Sequence, residues 1–181
     1  MKALFLDRDG VVNTDKGYVG HIADFEFIPG VFEALRLAQQ HDYLLFVVTN
    51  QAGIARGFYT EEDYFRLTHW MLEQFEDEGI SVTQVYHCPH HKDGVVPQFT
   101  GESDLRKPNP GMILLASQEH DVTLSQSVLV GDKESDVEAG IRAGLSRTIL
   151  VSLDDKVMTK ADVIIGSIAE LPDAMQWHIS K

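Results

Sequence analysis

The chain has 181 residues, 44% of them hydrophobic and 24% charged, the balance of one ordinary globular domain rather than a disordered chain. Fifteen basic against 28 acidic side chains give a formal charge of -13, so the average field repels a polyanion and disfavours a nucleic-acid partner. No apolar run reaches the roughly 20 residues that cross a bilayer, no secretory pattern opens the chain, and the lone Cys88 excludes an internal disulfide. The expectation is one cytoplasmic domain over residues 1–181, monomeric and without membrane contact.

In chain order, Ala3–Leu6 is a short apolar run that stops at Asp7-Arg8-Asp9-Gly10 and predicts a first strand. After Pro29-Gly30, Val31, Ala34, Leu35 and Ala38 share one face of a helix. Tyr43–Val48 predicts a second strand, stopping at Thr49-Asn50-Gln51. Thr60-Glu61-Glu62-Asp63 is a capping box with Asp as its acid, opening a helix that carries Phe65, Met71, Leu72 and Phe75 to Gly79. Ser81–His87 reads as a strand nearer an edge. Asn109-Pro110 predicts an N-cap and a first-turn proline for a helix ending near His120. Ser127–Val130 predicts a strand stopping at Gly131-Asp132-Lys133, followed by a helix over about Ser135–Ala143 that Gly144 closes. Arg147–Val151 and Asp162–Ile165 supply two more strands. Runs this short and uninterrupted suit strands buried on both faces of a parallel sheet. The alternation predicts an α/β, doubly wound, three-layer domain with right-handed crossovers. His21, His41, His69, His120 and His178 are expected at the surface or as caps.

Open parallel sheets place their ligand sites beyond the carboxyl ends of the strands. Asp7 with Asp9, Thr49 with Asn50, and Asp132 with Asp136 should therefore converge on one crevice. Crowded carboxylates need a cation, and all-oxygen ligands select Mg²⁺. One ionised carboxylate can attack phosphorus while a protonated neighbour donates to the departing alkoxide. Thr49, backbone N–H groups and Lys107 can neutralise the oxygens of the transferring group.

Asp7-Arg8-Asp9-Gly10-Val11, Thr49, Lys107 and Gly131-Asp132-Lys133-Glu134-Ser135-Asp136, in that order, resemble the haloacid dehalogenase (HAD) superfamily. The resemblance spans about Leu4 to Gly144. It implies Asp7 as nucleophile, Asp9 as acid and base, Thr49 and Lys107 on the phosphoryl group, and Mg²⁺ held by Asp7, Asp9 and Asp132, with Asp9 acting through its backbone carbonyl. Gly17-Tyr18-Val19, Thr49 to Gly57, Cys88-Pro89-His90-His91 and Arg106 to Met112 are similar to its heptose-bisphosphate and histidinol-phosphate phosphatase branch. Gly17-Tyr18-Val19 and Gly53-Ile54-Ala55-Arg56-Gly57 favour the heptose side. What that implies is a Mg²⁺-dependent phosphomonoester hydrolase acting on the 7-phosphate of a heptose 1,7-bisphosphate. The alternatives are a histidinol-phosphate or broader small sugar-phosphate phosphatase and, remotely, a non-catalytic phospho-ligand-binding domain.

About twenty residues separate Asp9 from the first helix and eighteen lie between Cys88 and Lys107, too few for a cap domain with its own core. Selectivity should then come from loops. The branch's substrate loops correspond to Asp15, Lys16, Gly17 and Tyr18, to Thr49, Asn50, Gln51 and Ala52, and to Arg106; Arg56, Lys107 and Lys133 complete the candidate substrate set. Arg106, a planar fork donor, is expected to hold the remote phosphate of a bisphosphate. Members of the branch usually close the loop after Cys-Pro-His around zinc. Here Cys88 and His90 remain, but Ser103 and Leu105 stand where two further cysteines would, so no zinc is expected. Val95, Val96, Phe99 and Leu105 are expected to pack together in its place.

Overall fold

The structure, a computed structural model, describes residues 1–154 and 156–177; His178 lies outside them. Six parallel strands, β1 (Lys2–Leu6), β2 (Tyr43–Asn50), β3 (Val82–Cys88), β4 (Val128–Gly131), β5 (Arg147–Val151) and β6 (Val163–Ile165), form one sheet in the order 3-2-1-4-5-6. The helices are α1 (Val31–Gln40), α2 (Ala52–Ala55), α3 (Glu61–Asp77), α4 (Gly111–His120), α5 (Glu134–Ala143) and α6 (Leu171–Ala174). The predicted edge strand is at an edge, and the α/β doubly wound expectation is met.

Three layers follow from the strands' two-residue alternation. Leu4, Leu6, Leu45, Val128 and Val130 pack with Leu35 of α1, Met71 and Phe75 of α3, and Leu171 of α6. Ala3, Phe5, Phe46 and Leu129 face the other way, against Met112, Ile113 and Ala116 of α4 and Ala139 and Ala143 of α5. Each fully buried Leu or Phe contributes about 1.5–3 kcal/mol before ordering entropy is subtracted. Leu4 aligns with Leu45 on one side and Val128 on the other, so the central strand's register is set by matching apolar rows.

Some local expectations are corrected. Thr60 and Asp63 form the predicted reciprocal capping box, but Phe65 of the same helix is exposed. Asn109 does not cap α4: its amide donates to the Ser103 carbonyl at 3.1 Å, and Pro110 takes the cap position. Between β1 and α1, and between β3 and α4, the chain makes only a 3₁₀ turn and isolated bridges, so no separate cap domain covers the sheet.

The apolar cluster expected in the β3–α4 loop does not form. Val95 is 73% exposed, Phe99 packs on Ile54, Tyr59 and Tyr64, and Leu105 joins the opposite layer. Backbone bonds hold the loop instead. The Ala55 carbonyl accepts from Val95 and Val96 N–H at 2.8 and 3.0 Å, and His91 exchanges bonds with Phe99 and Gly101 at 3.1 Å each. Buried peptide groups at the end of a helix must find partners, and α2 supplies one here.

Candidate active site

The sheet order reverses between β1 and β4, both of whose first neighbours run outward from that seam, and the polar clusters meet there. Asp7 follows β1, its N–H continuing the ladder to the Val130 carbonyl at 2.9 Å. Asp132 follows β4. Gly10, at φ +85°, lets the first loop close on it: a Cβ there would lie 2.3 Å from Asp132 Oδ2. Gly131 likewise admits Asp136, which would meet such a Cβ at 2.2 Å.

Lys107, 3% exposed, is the centre's cation. Its Nζ lies 2.9 Å from Asp7 Oδ1 and 2.6 Å from Asp136 Oδ1, and donates to the Val48 carbonyl at 2.7 Å. All three ammonium donors are thereby engaged by protein oxygens, so Lys107 acts on a bound phosphoryl group through its charge. Asp7 Oδ1 also accepts from Arg8 N–H at 2.8 Å, which leaves Oδ2 for the cavity. Burial, then Asp136, hold the Asp7 carboxyl well above the usual carboxylate range, with Lys107 opposing. Burial likewise pushes Asp132 up to about 6, against the pull of Lys133. Asp136 and Asp7 outweigh the burial that lowers Lys107, so its ammonium is held above the ordinary lysine range.

Asp7, Asp132 and Asp136 offer oxygens within 4.8 Å of one another, and among the described residues they are the one such group of three or more His, Cys, Asp or Glu. Three carboxylates face one ammonium, and Asp132 Oδ1 is buried with no hydrogen-bond partner. An all-oxygen set with an orphaned acceptor fits a hard divalent cation. Asp136 is already committed, to Lys107 and, through Oδ2, to the Lys133 N–H at 3.0 Å. Asp7 and Asp132 are therefore the side chains free to hold it. The Asp9 carboxylate points elsewhere, as a ligand acting through its carbonyl would. Cys88 is buried and His90 partly so, and neither belongs to a group of potential metal ligands.

Asp9 accepts from Arg8 and Asn13 at 3.0 Å each and from Gln51 Nε2 at 3.1 Å. The same Gln51 amide donates to Thr49 Oγ1 at 2.8 Å. Gln51, expected on substrate, is only 2% exposed and spends its amide on these two groups. Asn50, also expected there, clamps the Lys107 backbone with two bonds of 3.0 Å, one in each direction. Both line the cavity, but their polar atoms are turned to the protein. Asp136 converges on the crevice with Asp132 as expected, at the helix position whose carboxylate caps the first turn. Sequence reasoning missed Arg8 and Lys92. Arg8 had no signal: a loop arginine, 1% exposed, whose guanidinium ties Asp9 to the Val19 carbonyl.

Above this floor opens a cavity of about 900 Å³ whose lining includes Asp15, Gly17, Tyr18 and Ala52 and the cations Arg56, Lys92, Arg106 and Lys133. Lys92 was not foreseen. Lys16 is not at the site; it pairs with Glu26 at 3.0 Å. Lys133 lies 3.5 Å from Asp15. Arg106 donates to the His90 carbonyl at 3.4 Å, and burial lowers its pKa, with Cys88 opposing and Arg56 adding to the fall. A crowded pair of guanidinium groups, Arg106 and Arg56, without carboxylate partners among the described residues suits an anion.

The three-layer sheet and its aspartate–lysine centre define an HAD-type phosphatase, and residues 104–167 match a family described as HAD-hydrolase-like. The chain is 49% identical over 166 residues to the D-glycero-alpha-D-manno-heptose-1,7-bisphosphate 7-phosphatase of Burkholderia mallei, covering 91% of this chain and 88% of that one. It is 43% identical over 178 residues to the D-glycero-beta-D-manno-heptose-1,7-bisphosphate 7-phosphatase of Yersinia pestis, covering 96% and 95%. The crystal structure of D,D-heptose 1,7-bisphosphate phosphatase from B. bronchiseptica, complexed with magnesium and phosphate, matches at TM-score 0.84 and 28% identity over 97% of this chain and 98% of that one. The chain belongs to the heptose-1,7-bisphosphate 7-phosphatase family.

Proposed function

We propose that this chain, acting as one domain over residues 1–181, is a Mg²⁺-dependent hydrolase that removes the 7-phosphate of D-glycero-D-manno-heptose 1,7-bisphosphate. The observation that carries the reading is that one cavity of about 900 Å³ is lined both by a pinned, buried Asp7 and by Arg56 and Arg106, which have no carboxylate partner among the described residues. A bisphosphate matches both. Its reacting phosphate meets Asp7 Oδ2, and its remote phosphate meets Arg106 and Arg56. The Burkholderia mallei and Yersinia pestis relatives, named for opposite anomers of this sugar bisphosphate, support the substrate class and leave both anomers in play.

Asp7 attacks phosphorus as the bond to O7 breaks, and Asp9 gives that oxygen its proton. Water then attacks the aspartyl-phosphate, Asp9 takes its proton, and phosphate leaves as Asp7 is regenerated. Thr49 and the N–H groups of the first loop donate to the oxygens in transfer, and Lys107 offsets their charge. Mg²⁺, held by Asp7, Asp132 and the Asp9 carbonyl, would supply charge neutralisation for crowded carboxylates and phosphate alike. The reading includes no zinc, and takes the chain as a cytoplasmic monomer without nucleic-acid or membrane partners.

The test is competition between substrates. Both anomers of the 1,7-bisphosphate, the 7-monophosphate and histidinol phosphate are supplied at equal concentration with Mg²⁺, and ³¹P NMR follows which phosphorus is released. The bisphosphate should react fastest, and only at C7. Faster hydrolysis of histidinol phosphate, or release from C1, would overturn the assignment.

A further inference from the structure

Asp9 and Thr49 stand on different strand ends, yet one side chain holds both. The Gln51 carboxamide donates through Nε2 to Asp9 at 3.1 Å and to Thr49 at 2.8 Å. A carboxamide has nearly the same shape when turned over, and a flipped Gln51 would lose the Nε2 bond to Asp9. Something must hold the orientation. On its other side the phenol of Tyr59 donates to Gln51 Oε1 at 2.5 Å. Both residues are buried, so the bond is made where few other partners are at hand.

Tyr59 is itself fixed by space rather than by polar contacts. Its ring lies between Gly20 of the first loop and Gly53 of α2, where a Cβ would come within 2.2 and 2.3 Å of ring carbons. Neither glycine has a positive φ, so the absent side chain is what matters at these positions. Burial keeps the phenol protonated far above its ordinary range, against the pull of Arg8.

We propose that Tyr59 is a positioning residue for the phosphatase reaction: its hydroxyl locks the Gln51 carboxamide in the one orientation that presents donors to Asp9 and Thr49 together. The inference rests on the reading of Asp9 as acid and base and Thr49 as a hydrogen-bond donor to the phosphoryl oxygens. The Tyr59 hydroxyl is spent on Gln51. It acts through Gln51, so its removal should misplace the proton donor while leaving the arginine wall intact.

The experiment is a double-mutant cycle with Tyr59→Phe, Gln51→Ala and the pair in the full-length chain, with Asp9→Asn alongside. Each is assayed with Mg²⁺ on the heptose bisphosphate and on p-nitrophenyl phosphate. Tyr59→Phe should lower kcat on the bisphosphate by roughly tenfold to a hundredfold, the scale set by leaving a buried carboxamide oxygen without its donor, with KM within about twofold. The loss should be smaller on p-nitrophenyl phosphate, whose leaving group needs little proton transfer. In the Gln51→Ala background the same change should have almost no further effect. An undiminished effect there would mean that Tyr59 serves packing alone, and unchanged kcat in the single variant would overturn the proposal outright. Thermal unfolding of every variant separates misfolding from misplacement, since a folded Tyr59→Phe protein with wild-type kcat counts against the idea. Failure of the underlying reading has a different signature: Asp9→Asn would then lose equally on both substrates.

Discussion

The floor and the rim of the cavity are built on opposite principles. On the floor, Asp7 and Thr49 at strand ends, Asp136 in the first turn of α5 and Lys107 in the loop before α4 are buried, and nearly every polar atom has a protein partner. The orphaned Asp132 Oδ1 stands out for that reason. At the rim, residues 89–106 form a loop with one short 3₁₀ turn, held by backbone bonds to Ala55 and within itself. The difference teaches where precision is needed. Nucleophile and acid must be placed to a fraction of an ångström, and rigid elements do that; a remote phosphate can be caught by long cationic side chains on a loop.

The floor should therefore break sharply. Asp7→Asn keeps the shape but supplies an amide, a very poor nucleophile, and should cut turnover by more than about 10⁴-fold, the scale seen when a nucleophile is lost. Circular dichroism should show an unchanged fold; turnover within a few-fold of wild type would remove Asp7 from its role. Lys107→Met should break stability as well. It leaves Asp7 and Asp136 buried without their cation, a change worth about 3–5 kcal/mol. The sign with pH follows: Asp7 already binds its proton more readily than an ordinary aspartate, and takes it more readily still once the ammonium is gone. The deficit should thus be largest above neutral pH and shrink as pH falls through the raised range in which the buried Asp7 takes its proton. Urea unfolding of both proteins at pH 5 and pH 8 checks this.

How much of this was legible in the sequence also divides along floor and rim. Apolar runs that each ended in a polar cluster marked β1, β2 and β4, and a parallel sheet obliges those clusters to meet. Hence Asp7, Asp9, Thr49, Asn50, Asp132 and Asp136 were placed together, and the family resemblance added Lys107. Orientation was not legible. Asn50 and Gln51 follow Thr49 at the end of β2, and nothing in residue type says that their amides turn inward to Lys107, Asp9 and Thr49. Arg8 was hidden because a charged residue in a loop is normally solvated, and only the close approach of Asp9 and Val19 makes its burial tolerable. At the rim, apolar composition suggested a cluster of Val95, Val96, Phe99 and Leu105. Backbone bonding, which any residue can make, was what held the loop.

The rim should yield a gentler effect. Arg106→Ala removes one charge-assisted donor from a site shared with Arg56 and Lys92, and should cost about 1.5–3 kcal/mol on the bisphosphate. That is roughly one to two decades in kcat/KM, with little loss on a monophosphate. The ratio of the two substrates' kcat/KM is the measurement. An equal loss on both would reassign Arg106 to the reacting phosphate or to the loop, where it bonds the His90 carbonyl.

The smallest effect expected is none at all, from stripping zinc. A structural zinc site needs four ligands, and only Cys88 and His90 stand at the family's positions, with Ser103 and Leu105 in place of the other two. Ser103 is otherwise occupied: its hydroxyl accepts from Leu105 N–H at 3.2 Å and its carbonyl from Arg106 and Asn109 at 3.1 Å each. These bonds, with those to the Ala55 carbonyl, tie both ends of the loop without metal. Protein dialysed against a zinc chelator and returned to Mg²⁺ should keep its activity and its protease resistance between residues 89 and 106. Stoichiometric zinc in the purified protein, or activity that only zinc restores, would show the rim to be metal-built and erase the contrast with the floor.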